Sequence, residues 1–230
     1  MLDFHNHILP GIDDGSPDFE TSLRLLRGLK DLGFDSVKAS PHTIADTHPN
    51  TPDTIKASFD SLNQYLTSQA YPHVSGFASE YMLDDIFLAN LKAKKPLLCV
   101  HDKFVLVELS YAQKPEHVEG YSFQLQLDGY IPILAHPERY GYYHKNAESN
   151  YDYLKDLGFD FQLNLLSLTP YYGKDVQKVA NDLLEKGYYD YACTDLHHDR
   201  HLEALNQFFT ADSLRDLMKK YRLQNDKLAG

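Results

Sequence analysis

Nine side chains of the kinds that hold divalent cations are spread along this 230-residue chain: His5, His7, Asp14, His42, Glu80, Glu108, His136, Asp195 and His197. Imidazole and carboxylate together favour hard or borderline ions, manganese, iron and zinc foremost, with cobalt or magnesium also admissible. No cysteine cluster accompanies them, which argues against a structural zinc site. A single ion cannot use so many donors. Two or three ions bridged by a carboxylate would use them all, and such clusters suit phosphoester hydrolysis.

Taken singly, each residue has a plainer reading. His-x-His pairs occur by chance, while His42 after a proline and Asp14 beside Gly15 would serve a turn or a cap. His136-Pro137-Glu138-Arg139 could be an ordinary strand end. Glu108 differs, because a carboxylate inside Val-Leu-Val-Glu-Leu must find a cation or hydrogen bonds to offset the cost of burial. The joint placement carries the metal reading.

That placement comes from the elements. Apolar, β-branched runs at residues 2–5, 36–40, 74–79, 104–109, 131–136, 161–165 and 189–194 read as about seven strands, alternating with helical patterns. Phe19, Leu23, Leu26, Leu29 and Leu32 recur at helical spacing, with Ser16-Pro17 expected to open that helix and Gly33 to close it. Further helices are expected at 55–66, 117–127, 151–157 and 176–184, and a helical stretch at 202–223. Residues 43–54, with Pro49 and Pro52, read as a long loop beside His42, either a lid or a plain surface connection. Most of the candidates fall at or just past expected strand ends. In a β/α barrel those ends open on one face, so ligands distant in sequence converge.

Composition bounds the rest. With 43% hydrophobic and 24% charged residues the chain is that of a globular protein, expected as one domain over 1–230. Its net charge of −11 disfavours nucleic acid and anionic lipid as partners, although bound cations would cancel part of that charge locally. No apolar run approaches the ~20 residues that a membrane span requires. Candidate ligands begin at His5, leaving no room for a signal peptide, so a cytoplasmic location is expected, with Cys99 and Cys193 as free thiols. The 17 tyrosines read mainly as packing residues.

The opening His-Asn-His-Ile-Leu-Pro-Gly-Ile-Asp-Asp-Gly, residues 5–15, resembles the start of bacterial tyrosine-protein phosphatases of the CpsB/YwqE type, within the polymerase and histidinol phosphatase (PHP) superfamily. Ser40-Pro41-His42, Glu80, Glu108, His136-Pro137-Glu138-Arg139 and Thr194-Asp195-Leu196-His197 continue the likeness over nearly the whole chain. The resemblance implies a distorted (β/α)7 TIM-like barrel and three ions of manganese-like preference. His5, His7, Glu80 and Asp195 would hold the first; Glu80, Glu108 and His136 the second; Asp14, His42 and His197 the third. Arg139 would grip the phosphate bidentately. A second arginine is expected shortly after the Asp-x-His pair; here Arg200 comes early. The implied partner is a phosphotyrosine protein, a membrane-associated tyrosine kinase of capsule or exopolysaccharide synthesis.

The expected chemistry is attack on phosphorus by metal-bound hydroxide. A tyrosyl leaving group, with a pKa of about 10, needs less proton assistance than an alkoxide. A cysteine phosphatase needs an arginine after five intervening residues from its thiol, which Cys99 lacks, and Arg200 follows Cys193 only after six. Two alternatives stay open: a small-molecule phosphatase acting on a substrate such as histidinol phosphate, and a catalytically silent metal-binding partner of the kinase. His198 and His201, beside the last ligand pair, are also left open, whereas His48, His73, His101, His117 and His144 read as surface or structural residues.

Overall fold

A computed structural model describes residues 1–229. Its strands are β1 (Leu2–Asp3), β2 (Ser36–Ala39), β3 (His42–Thr43), β4 (Gly76–Phe77), β5 (Glu80–Met82), β6 (Phe104–Glu108), β7 (Ile131–Ala135), β8 (Asp160–Asn164) and β9 (Tyr191–Cys193). The helices are α1 (Phe19–Asp31), α2 (Pro52–Ser68), α3 (Asp85–Lys92), α4 (Val118–Leu127), α5 (Ala147–Asp156), α6 (Lys174–Glu185), α7 (Asp199–Phe208) and α8 (Ala211–Lys220). All named strand pairs are parallel, which is what helical crossovers between successive strands impose.

The strands form two groups, β1-β2-β4 and β3-β5-β6-β7-β8-β9, rather than one closed ladder. Two of the expected strands are interrupted. Residues 36–40 end at Ala39, and the chain resumes as β3 after Pro41, which has no N–H to give to a ladder. Its neighbour breaks at Ala78-Ser79, so Glu80 opens β5 instead of following a strand. Alignment survives both breaks through Ala78 N–H to Ala39 O at 2.7 Å and Glu80 N–H to Pro41 O at 3.0 Å. Between the last strand and the first, a lone parallel bridge joins Asn6 to Leu196, with His7 N–H to Leu196 O at 2.9 Å and Asp195 N–H to His5 O at 2.8 Å.

Alternation along β6 to β9 sorts side chains into two cores. Val105, Val107, Leu134, Phe161, Leu163 and Ala192 pack with the helices, while Leu106, Ile133, Ala135, Tyr191 and Cys193 join Leu2, Phe4 and Leu228 in a smaller cluster. Helix α1 is capped by Asp18, whose side chain accepts from Thr21 N–H, and not by Ser16; the Ser16 hydroxyl is buried against Ser22 instead. The stretch 202–223 is two helices, because Thr210 with Ser213 forms a capping box that starts α8. Helix α3, which the apolar spacing did not mark, is opened by Asp84. Gly28 matters for close packing: a Cβ there would lie 2.2 Å from Leu202 of α7.

The segment 43–54 is shorter as a loop than expected, since α2 begins at Pro52 with Thr51 as its cap. Within it Asn50 donates to the carbonyls of His42 and Ile12, both at 2.8 Å, so the loop braces the backbone at His42. Both cysteines are free.

Candidate metal centre

All nine candidate ligands come together, three of them (His42, Glu80 and Glu108) within named strands and the other six beyond strands. Glu108 is the last residue of β6 and His136 the first after β7; His5, His7, Asp195 and His197 follow β1 and β9. His136 and Asp195 adopt left-handed backbone, with φ of 34° and 50°. That conformation costs a non-glycine residue roughly 1 kcal/mol or more, and it turns each strand end abruptly at a ligand position. Asp14 reaches the group from the turn that follows His7. Gly15 makes this turn possible, because a Cβ on it would lie 2.2 Å from the His7 carbonyl, which accepts from Ser16 N–H at 2.9 Å.

Glu80, fully buried, is the hub. Its Oε2 lies 3.1 Å from His5 Nε2, 3.4 Å from His7 Nε2 and 3.1 Å from His42 Nδ1, and its Oε1 lies 3.2 Å from His136 Nε2. Asp195 Oδ1 is 3.3 Å from both His5 Nε2 and His7 Nε2. Glu108 Oε1 sits 2.9 Å from His42 Nδ1, and Asp14 Oδ1 is 3.6 Å from Nε2 of both His42 and His197. Three sets have donor atoms within 4.8 Å of one another: His5, Glu80, His136 and Asp195; His42, Glu80 and Glu108; and His7, Asp14, His42 and His197. The partition differs from the one implied by resemblance. Here His136 groups with His5, His42 with Glu108, and His7 with Asp14.

The donor set fits divalent cations on a specific ground. His5 Nε2, His7 Nε2, His42 Nδ1, Glu80 Oε2 and Glu108 Oε1 are buried without any hydrogen-bond partner, although each such atom costs about 1–3 kcal/mol when left unpaired. The far nitrogens, in contrast, are held. His5 Nδ1 lies 2.7 Å from Gln162 Oε1 and His7 Nδ1 lies 2.8 Å from Asp13 Oδ2. Amide and carboxylate oxygens only accept, so the proton sits on Nδ1 and Nε2 is aimed at the cluster.

The electrostatics are those of a mutually neutralised cluster. Burial disfavours protonated His5, but the charges of Glu80 and Asp195 outweigh it and hold its pKa at about 9. His136, where burial dominates, is pushed down to about 4, and His197, affected by burial and by His7, to about 3. Burial and the neighbouring Glu80 raise Glu108 to about 7. Glu80 and Asp195 stay well below the usual carboxylate range: for both, burial is overcome by His5, with His42 adding its effect on Glu80 and His197 on Asp195. Cation binding therefore has protons to displace.

Above the donors lies a cavity of about 240 Å³ lined by Asp14, His42, His136, Asp195 and His197 together with Tyr111, Arg139, Tyr172, His198 and His201. Arg139 Nη1 donates to Asp195 Oδ2 at 2.7 Å, and its guanidinium carbon lies 4.2 Å from the Tyr172 ring centre and 5.0 Å from that of Tyr111. Asn164 Nδ2 donates to the same Asp195 oxygen at 2.9 Å. Arg200 is not part of this lining. It is exposed in the first turn of α7, whereas His201, one turn along the same face as His198, is buried and turned inward. Sequence reasoning also missed Asp13, Gln162, Asn164, Tyr111 and Tyr172. Asp13, in the Asp-Asp-Gly turn beside a chosen ligand, was the only one with a local signal.

Residues 1–220 match the model of the CpsB/CapC family, described as capsular polysaccharide synthesis. The chain is 30% identical over 223 residues to tyrosine-protein phosphatase YwqE of Bacillus subtilis (strain 168), covering 96% of this chain and 85% of that protein. It is 25% identical over 200 residues to the putative tyrosine-protein phosphatase CapC of Staphylococcus aureus, covering 86% of this chain and 77% of that one. A solved structure from work on YwqE of Bacillus subtilis and CpsB of Streptococcus pneumoniae, described as unique metal-dependent tyrosine phosphatases, superposes with a TM-score of 0.78 at 28% identity, covering 96% of this chain and 93% of the other. An organophosphorus hydrolase from Deinococcus radiodurans shares the fold alone, with a TM-score of 0.50 at 12% identity over 99% of this chain and 88% of the other. By its sequence and its fold, the chain belongs to the CpsB/CapC family of capsular polysaccharide synthesis.

Proposed function

We propose that this protein is a metal-dependent protein-tyrosine phosphatase that hydrolyses phosphotyrosine on a tyrosine kinase of capsular or exopolysaccharide synthesis. The observation that carries the reading is the set of five buried, unpartnered donor atoms on His5, His7, His42, Glu80 and Glu108, gathered around Glu80 and His42 beside an open cavity. The names borne by its relatives supply the phosphotyrosyl substrate and the link to capsule synthesis.

In this reading His5, His7, Asp14, His42, Glu80, Glu108, His136, Asp195 and His197 hold two or three divalent ions, with manganese suiting the mixed imidazole and carboxylate donors. The bound ions would supply a nucleophilic water at neutral pH and neutralise phosphoryl charge. Gln162 and Asp13 fix the ring orientation of His5 and His7. Arg139, pinned between two tyrosine rings, presents a preorganised guanidinium to the phosphoryl oxygens. Residues 1–230 act as one domain. The Asn6–Leu196 bridge supports reading the two strand groups as a distorted (β/α)7 barrel whose ladder is interrupted. No helix among the described residues is long and apolar enough to cross a membrane, and a cytoplasmic site of action accords with two free thiols.

Purified protein is to be assayed for bound metal and for release of phosphate from a phosphotyrosyl peptide, with and without a chelator and added manganese. Turnover that disappears with the chelator and returns with manganese is expected. Activity indifferent to chelation overturns the proposal, and faster turnover of histidinol phosphate than of the peptide replaces it with a small-molecule reading.

A further inference from the structure

One residue of the cavity is neither a metal ligand nor a cation, yet its polar atom reaches the donor cluster. Tyr111 stands three residues past β6, on a loop whose start is fastened: the Tyr140 hydroxyl accepts from Leu109 N–H at 2.9 Å and the Tyr142 hydroxyl donates to Ser110 O at 2.9 Å. The residue as a whole is 47% exposed, but its hydroxyl lies 3.2 Å from His136 Nδ1 and 3.4 Å from His136 Nε2. Tyr111 thus enters the cavity from its rim, and its hydroxyl ends beside His136 in the cavity wall. The ring stacks on His136 at 5.8 Å and flanks the Arg139 guanidinium.

An in-line displacement fixes which substrate oxygen such a group meets. The entering oxygen comes from the floor, where the cations would lie, so the departing oxygen points towards the mouth, through which the substrate protein must remain connected. Arg139, ion-paired with Asp195 on the floor side, is placed for the phosphoryl oxygens. A hydroxyl let down from the rim is placed for the leaving one.

We propose that Tyr111 is a further catalytic residue, whose hydroxyl donates a hydrogen bond to the tyrosyl oxygen as it departs; this rests on the phosphatase reading above. The bond between phosphorus and the tyrosyl oxygen breaks with its electron pair going to that oxygen. A new bond forms from phosphorus to an oxygen supplied by water, whose proton passes to solvent. The departing phenolate, held by the Tyr111 hydroxyl, takes its own proton from solvent, so that Tyr111 ends the cycle unchanged. The need for such a donor grows with the basicity of the leaving group.

The test is Tyr111→Phe, which keeps the ring against His136 and Arg139 and removes only the hydroxyl. Turnover numbers would be measured, with manganese added, on p-nitrophenyl phosphate and on phenyl phosphate, whose leaving group is far more basic, alongside the variant's bound-metal count. The wild-type rates on these aryl phosphates, and their loss to a chelator, examine the phosphatase reading separately. The expected result is full metal content, a fall of about 10- to 100-fold in kcat on phenyl phosphate, the worth of a hydrogen bond to a charged oxygen, and only about 2-fold on p-nitrophenyl phosphate. An equal fall on both substrates, or no fall on either, overturns the proposal. So does a loss of metal, which would make Tyr111 a residue that merely orients His136.

Discussion

Two neighbouring layers of buried polar groups run across the strands, and they are satisfied in opposite ways. In the layer nearer the strand starts, the Asp3 carboxylate accepts from Thr194 N–H at 3.0 Å and from its hydroxyl at 2.7 Å, and Lys38 Nζ donates to the carbonyls of Val100 and Leu228 at 3.0 and 2.6 Å. Asn225 completes it, donating to the carbonyls of Leu2 and Ala192 and accepting from Ala192 N–H. In the layer at the strand ends, five nitrogen and oxygen atoms of comparable burial have no partner. Asn6 stands at the boundary, its amide donating to Asp3 and to Lys38 O while its oxygen goes unpaired. Burial of polar groups alone is therefore no sign of function. What separates a structural layer from a binding layer is whether the protein itself completes the bonding.

The contrast is broken most severely by exchanging the effects of one residue from each layer. Glu108→Gln should lower phosphotyrosyl turnover by about a thousandfold or more through loss of metal, since a cation supplies several kcal/mol of transition-state stabilisation. Thermal unfolding of that variant in the presence of a chelator should match or exceed that of the wild type, because a buried acid has been relieved of its charge. Asn225→Ala should do the reverse, costing about 2–4 kcal/mol in denaturant unfolding while the activity per folded molecule stays unchanged. If Asn225→Ala loses metal and Glu108→Gln loses stability, the division into layers is wrong.

Smaller effects are expected from the groups that link the layers. Asp13→Ala and Gln162→Leu release the Nδ1 side of His7 and His5, and manganese affinity by titration should weaken by about 10- to 100-fold in each. Unaltered affinity would mean that the rings are oriented by packing alone. At the surface, Arg200→Ala should change KM for a phosphotyrosyl peptide by less than about twofold, whereas Arg139→Ala should raise it substantially, because a surface charge outside the cavity is well screened. An equal rise in both variants would place Arg200 in the substrate's path after all.

Much of the binding layer was legible because a carboxylate within Val-Leu-Val-Glu-Leu has few structural uses and because most of the candidates fall together at expected strand ends, and the nine candidates do meet. The way they group in space was not legible. His42 turns on a strand broken at Pro41, and this brings it to Glu108 as well as to Asp14, a geometry that no spacing in the sequence encodes. The breaks at Pro41 and at Ala78-Ser79, which divide the strands into two groups, were not legible for the same reason. The supporting shell stayed hidden because Gln162, Asn164 and Tyr172 look like ordinary strand and turn residues until the chain is folded. Arg200 was offered by the family resemblance as the second arginine, but helical phase, which the local sequence does carry, turns His201 inward in its place.

The bridge between Asn6 and Leu196 fastens the earliest donors to the latest, across some 190 positions, as the Asp3–Thr194 pair shows with a separation of 191. A ribosome emitting this chain releases His5 and His7 well ahead of their counterparts Asp195 and His197, which follow only some 190 positions later. During that interval the growing polypeptide lacks Asp195 and His197 and cannot assemble a full set of ligands. The catalyst is thus withheld until translation has passed His197, and fragments cut short before that point carry imidazoles without a competent centre.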